Sequence, residues 1–114
     1  MAATLYRIVA RDPPTLDDFT SNQARSKQPR LPADLEVLRL WNGLSAYATE
    51  AQARRKALSA PYLGDYIAKL IIRDDSPIQR ERTLPRSPGH HTIWGEPGAV
   101  LASVQRVVPV QQSK

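Results

Sequence analysis

The chain has 114 residues, 41% hydrophobic and 24% charged, which suits one domain with a modest core; we expect residues 4–110 to form it and residues 111–114 to be a tail. No apolar run approaches the roughly 20 residues that span a bilayer, and the N-terminus lacks the pattern of a signal peptide, so we expect a cytoplasmic protein without membrane contact. The absence of cysteine excludes disulfides, thiolate catalysis and cysteine-based metal sites. The net charge of +5 favours phosphate-bearing or acidic partners, although solubility alone would also explain it.

The first third of the chain predicts a strand, a short helix, a polar loop and a buried helix. "TLYRIVA", residues 4–10, is rich in β-formers and is followed by a proline pair. Thr15 is placed to cap a short helix. The segment 21–32 is polar and basic, which indicates a loop, whereas residues 32–43 are apolar around most of a helical circumference.

The stretch "GLSAYATEAQARRKA", residues 43–57, changes its period partway along. Its first residues alternate as a strand does, and Thr49 and Gln52 then have the spacing of a capping box at a helix start. Small residues follow at helical spacing and predict a face that allows close approach to a sheet: Ala53, Ala57 and Ala60.

The second half of the chain predicts mostly strands. Residues 65–73 and 78–84 read as a hairpin around "DDSP", "HHTIWGEPG" as a short strand and turn, and residues 99–110 as a long final strand. We therefore expect one α+β domain with a largely antiparallel sheet of about five strands and two or three helices. The core residues predicted from the apolar faces are Leu38, Trp41, Ile67, Ile71, Leu101 and Val104.

Arg7 lies within the first predicted strand, on the same face as Leu5 and Val9. Both faces of that strand are partly apolar, so the guanidinium needs a carboxylate, backbone carbonyls or a bound anion. A buried ion pair and a fork for a phosphate both satisfy this requirement.

The strand "LYRIV" and the later "GLSAYATEAQARRKA" resemble the small ADP-ribosyltransferase-like fold, and are particularly similar to the RES-type NAD-degrading toxins, over residues 4–60. In that family an early strand carries an arginine that holds the dinucleotide, and a later strand ends with a tyrosine before an alanine-rich helix. The resemblance implies a toxin-like protein in which Arg7 binds NAD and Tyr47 lies beside the nicotinamide ribose. Ser45 shares a strand face with Tyr47 and joins the NAD-binding candidates. The candidates for the family's second arginine are Arg25 and Arg30.

The resemblance also implies a late acidic residue that stabilises the oxocarbenium-like ribose. Glu50, Glu81 and Glu96 are the candidates. Glu50 also suits the dipole of a helix start, and Glu81 suits a cross-strand charge pair. Glu96 follows Trp94 in a turn that could line a pocket. The candidate catalytic residues are therefore Tyr47, Glu96 and Glu81, and whether the protein is an enzyme stays open.

His90 and His91 do not predict a metal site, because neighbours on a strand point to opposite faces. One of them is expected to be an acid or base in a pocket, or a hydrogen-bonded histidine at a loop–strand junction. Tyr47 has a structural alternative too, as an aromatic at the edge of the core whose hydroxyl reaches water.

Three basic segments, "ARSKQPR", "ARRKA" and "RERTLPR", support the alternative of a non-enzymatic interaction module. Their partner would be an acidic protein, or nucleic acid bound weakly and without sequence preference, since no nucleic-acid-binding motif accompanies them.

Overall fold

A six-stranded antiparallel sheet organises the computed structural model, which describes residues 2–20, 43–83 and 89–111. The strands are β1 (Ala2–Val9), β2 (Leu44–Tyr47), β3 (Tyr66–Arg73), β4 (Gln79–Arg82), β5 (His90–Trp94) and β6 (Val104–Pro109). The described helices are α1 (Glu50–Ser59) and α2 (Pro97–Ala102), with 3-10 turns at Leu16–Phe19 and Pro61–Leu63. The strand order is β4-β5-β2-β1-β3-β6. This confirms the predicted α+β class, with six strands in place of about five.

Both faces of the sheet carry a buried apolar cluster, because side chains alternate along each strand. One cluster includes Leu5 and Leu70, and it is covered by Phe19 of the first 3-10 turn and Val100 of α2. The other cluster includes Ile8, Tyr47 and Ile67 from the strands and the predicted alanine face of α1, represented by Ala53 and Ala57. The sheet is therefore sandwiched between α1 on one side and α2 with the 3-10 turn on the other.

The capping box at the start of α1 forms as predicted. The backbone N–H of Gln52 donates to Thr49 Oγ1 at 3.1 Å, and the backbone N–H of Thr49 donates to the side-chain oxygen Oε1 of Gln52 at 3.2 Å. Two backbone donors of the first turn are thus satisfied locally.

Side-chain bonds to the far edge of the sheet hold α1 in place. Arg54 Nε donates to the Val110 carbonyl at 3.0 Å, and its Nη1 donates to the Glu50 carboxylate at 3.1 Å. Arg106 of β6 reaches the other Glu50 oxygen at 3.4 Å. Glu50 therefore serves the packing of α1 against β6, in addition to its favourable place in the first turn.

The predicted hairpin between residues 65–73 and 78–84 is wrong, although both strands exist. β3 pairs with β1 and β6, whereas β4 pairs with β5 near the opposite edge of the sheet. The physical reason is burial. Strand β3 is apolar on both faces, so it belongs in the interior of the sheet with a strand on either side. Every residue of β4, "QRER", is exposed, which suits a strand at the edge.

The prediction of one long strand over residues 99–110 is wrong in its first part. Pro97 begins a helix of six residues, a position where its missing N–H costs nothing, and the strand starts only at Val104. Val100 is fully buried because the helix turns it onto the sheet.

Of the predicted core residues, Ile67 is confirmed as buried. Three are only half-buried: Ile71, Leu101 and Val104. Leu38 and Trp41 lie outside the described residues, as do the loop expected over 21–32 and the helix expected over residues 32–43 up to Gly43. None of the helices in the described ranges is long and apolar enough to cross a membrane.

We expect Leu70→Ala to lower the free energy of unfolding by about 2–5 kcal/mol, because Leu70 is fully buried at the centre of β3 and the change leaves a cavity. Leu58→Ala is the control, since Leu58 is 52% exposed on α1 and should change stability by about 0.5 kcal/mol or less. Urea denaturation measures both. Equal losses in the two variants would contradict the packing described above.

Candidate functional site

Arg7 is half-buried between β1 and β2, where it bonds to backbone carbonyls. Its Nε donates to the Asp18 carbonyl at 2.9 Å and its Nη1 donates to the Ser45 carbonyl at 2.8 Å. Among the partners considered from the sequence, backbone carbonyls are therefore found. In the described residues β1 and β2 pair at one position, Tyr6 opposite Tyr47. Tyr6 rather than Arg7 thus shares the face of Tyr47, so Arg7 and Tyr47 belong to different faces of the sheet.

Asp18, whose backbone carbonyl accepts from Arg7 Nε, is fixed in place by the hydrogen bonds of its own buried carboxylate. Asp18 Oδ1 accepts from the Ala10 amide at 2.7 Å, and its Oδ2 accepts from the Thr15 amide at 2.9 Å and from Arg11 Nη1 at 3.2 Å. These bonds fold residues 10–19 back onto the end of β1. The sequence signal was the Thr15-x-x-Asp18 spacing of a capping box, but burial of the carboxylate did not follow from it.

Five polar and aromatic residues, which we term the His90 cluster, meet on the face of the sheet opposite Arg7: Ser45, Tyr47, Thr83, His90 and Thr92. His90 Nε2 lies 3.1 Å from Ser45 Oγ, and His90 Nδ1 lies 2.9 Å from Thr83 Oγ1. Thr83 Oγ1 lies 2.7 Å from Thr92 Oγ1, and the Tyr47 ring meets the imidazole edge-on, with centroids 5.4 Å apart and planes at 86°. Ser45 is exposed, whereas the other four are buried.

Strand register brings this cluster together. Ser45 is opposite Thr92 and Tyr47 is opposite His90 in the β2–β5 pairing, and opposite residues share a face. The expected common face of Ser45 and Tyr47 is thus confirmed, as is a hydrogen-bonded histidine at the loop–strand junction. Sequence reasoning missed Thr83 and Thr92. The alternation of His90 and Thr92 along β5 was the available signal.

Burial lowers the pKa of His90 below its ordinary value, because the charged imidazolium would lose hydration. The charges of His91 and Lys56 lower this pKa further, while a hydrogen bond with the backbone of Thr83 opposes the shift. His90 is therefore neutral at pH 7, with one ring nitrogen free to accept a proton.

Burial raises the pKa of Tyr47, and the positive charge of Arg7 opposes that rise. The phenol is therefore protonated at neutral pH and is able to donate a hydrogen bond. Although Arg7 and Tyr47 belong to different faces, the guanidinium is close enough to act electrostatically on the phenol.

The two remaining candidate carboxylates lie in different places. Glu81 of β4 is opposite Thr92, and so in one row with Thr92 and Ser45, about 10 Å from Ser45 across two strand spacings. Glu96 immediately precedes α2, whose Val100 packs into the cluster on the other face. Both side chains are exposed. Only Glu81 shares a sheet face with the His90 cluster.

His91 lies on the other face from His90 and its Nδ1 is 2.9 Å from the Gly89 carbonyl oxygen. Within the described ranges, no group of three or more histidine, aspartate or glutamate side chains could hold a metal ion. Arg25 and Arg30, the candidates for a second arginine, lie outside those ranges.

Comparison of the chain with family models, with curated proteins and with solved structures found no match. The class of protein therefore has to be inferred from the geometry of Arg7 and the His90 cluster and from the resemblance in the first half of the sequence.

We expect the stability of the folded chain to fall as the pH drops below about 6.5, the ordinary histidine pKa. The pKa of His90 is lower in the folded state, so the unfolded state binds more protons in this range and stability rises with pH through it. Urea denaturation at pH 8 and pH 5.5 measures the effect. His90→Gln should reduce the difference, and the control His91→Gln should keep its direction. An unchanged difference in His90→Gln would contradict this assignment.

Proposed function

We propose that the protein is ADP-ribosyltransferase-like and binds NAD or a related nucleotide where β1, β2 and β5 meet. The bond from Arg7 Nη1 to the Ser45 carbonyl supports this best, because it places the arginine of the early strand beside the strand that ends at Tyr47. β2 then leads within three residues into the alanine-faced helix α1, the order of elements that the resemblance implies. A reducing cytoplasm, which the cysteine-free sequence suits, completes the proposal.

In this proposal Arg7 attracts the pyrophosphate. Its two carbonyl bonds fix the plane of the guanidinium between Asp18 and Ser45, so little side-chain entropy remains to be lost on binding. Because Arg7 and Tyr47 belong to different faces, Arg7 attracts a pyrophosphate bound beside Tyr47 through its charge rather than through a direct bond, as it acts on the Tyr47 phenol.

The remaining roles belong to the face of the His90 cluster. The protonated phenol of Tyr47 donates to an oxygen of the ribose, and Ser45 offers an exposed hydroxyl on the same face. Glu81 is a better candidate than Glu96 for stabilising positive charge at the anomeric carbon, because it lies in one row with Ser45. In hydrolysis, water adds to that carbon as the bond to nicotinamide breaks.

A second candidate function, a non-enzymatic interaction module, is supported by one surface. Tyr62 is 86% exposed in the second 3-10 turn, next to exposed Leu63 and shortly after exposed Leu58. Arg55 and Lys56 are exposed on the preceding helix. Apolar anchors beside basic side chains suit an acidic protein partner, and weak non-specific nucleic-acid binding would draw on the same charge.

We expect NAD to raise the melting temperature of the wild-type chain with increasing concentration, as binding to the folded state requires. Arg7→Ala should abolish the shift, and Tyr47→Phe should weaken binding by about 0.5–1.5 kcal/mol, roughly one hydrogen bond. Arg55→Ala, which removes an exposed positive charge, is the control and should leave the shift intact. A wild-type melt unmoved by saturating NAD would favour the interaction module instead.

If NAD is hydrolysed, Glu81→Gln should slow nicotinamide release by about 100-fold or more, the usual effect of losing one electrostatic group aimed at the transition state. Glu96→Gln is the matched control, because it removes an exposed carboxylate from outside this row. Nicotinamide release followed by chromatography measures both rates. Loss of activity in Glu96→Gln with retention in Glu81→Gln would reverse the assignment.

A further inference from the structure

The contacts of His90 point to a second chemistry, separate from nucleotide binding: we propose that Ser45 is a nucleophile activated by His90 and that it accepts the acyl group of a carboxylic ester. Ser45 Oγ lies 3.1 Å from His90 Nε2, within hydrogen-bond reach of a base. The nucleotide proposal uses the Ser45 hydroxyl only as a polar contact, and neither it nor the interaction module uses the bond between Ser45 and His90.

Exposure is distributed between the two residues as such a pair requires. The Ser45 side chain is on the surface, where an ester can reach it, while His90 is 5% exposed and behind it. Thr83 Oγ1 lies 2.9 Å from the other ring nitrogen, Nδ1, and is itself 2.7 Å from Thr92 Oγ1. With the proton on Nδ1, Thr83 accepts from the ring and donates to Thr92, so that the lone pair of Nε2 faces Ser45.

An aromatic contact also positions the imidazole. Tyr47 packs edge-on against the imidazole, and β2–β5 pairing fixes both residues opposite one another. Arg7, on the other face of the sheet, donates to the Ser45 carbonyl and so helps to hold the backbone that carries the nucleophile. Thr83 carries no negative charge, so it orients the base without stabilising its protonated form, and we expect the reaction to be slow.

In the proposed step, Ser45 Oγ bonds to the ester carbonyl carbon as its proton passes to His90 Nε2. The bond from that carbon to the alcohol oxygen then breaks, and the alcohol leaves with the proton returned by His90. Water repeats the sequence to release the acid. An alkyl fluorophosphonate tests the first half, because Oγ bonds to phosphorus, fluoride leaves and the adduct is stable.

Intact-mass measurement and peptide mapping after incubation with the fluorophosphonate are expected to show one adduct, on Ser45. Ser45→Ala should remove it, while the control Ser59→Ala, which deletes an exposed hydroxyl that donates to the Lys56 carbonyl, should keep it. His90→Gln should slow labelling by about 100-fold or more. Absence of an adduct, an adduct elsewhere, or an unchanged rate in a folded His90→Gln variant would overturn the proposal.

The wild-type pH profile keeps the test decisive if His90→Gln fails to fold. Among the described residues, the titratable groups that face His90 are Tyr47 on β2 and Lys56 on α1, and the adjacent His91 acts on it electrostatically from the other face of the sheet. Labelling should rise as His90 loses its proton below about pH 6.5 and then level off. A rate that keeps rising to pH 9 would show attack without the base and would overturn the proposal. Labelling is measured without NAD, so its failure and the failure of the nucleotide proposal are separate results.

Discussion

The guanidinium of Arg7 joins three parts of the fold that are distant in sequence: β1 carries it, the turn at Asp18 receives its Nε, and β2 receives its Nη1. In the part of the chain that the structure describes, strands β1 and β2 pair at one position, and the bond from Arg7 to the Ser45 carbonyl adds a second link between them. Because the link is made by a guanidinium, it places a positive charge at the centre of the sheet. Apolar side chains packed between the same two strands would place no charge there.

The His90 cluster shows how polar groups are accommodated in the sheet. No described side-chain nitrogen or oxygen is buried without a hydrogen-bond partner. A series of hydrogen bonds that runs from Ser45 through His90 and Thr83 to Thr92 satisfies four side chains together. Such a network is stable only while each member keeps its partner. The proposed acyl transfer at Ser45 and the expected pH dependence of folding therefore depend on the same imidazole.

Local patterns in the sequence were sufficient for α1 and its cap, for β1, β2 and β5, and for the common face of Ser45 and Tyr47, because each depends on residues close together in the chain. Strand order was not accessible in this way. The turn after β3 looks like a hairpin turn, yet burial of both faces of β3 determines its neighbours, and burial is a property of the whole sheet. The same holds for the partners of His90, since Thr83 and Ser45 reach it only through register.

The exposed strand β4 has a consequence for how other chains meet this one. It lies at an edge of the described sheet, and all four of its residues are polar or charged, with Arg80 also 3.6 Å from Asp74. A foreign strand that extended the sheet there would have to strip water from Arg80, Glu81 and Arg82 before gaining any backbone bond. That edge thus discourages amyloid-like stacking, and it leaves side chains rather than main-chain amides as the means of recognition on this flank.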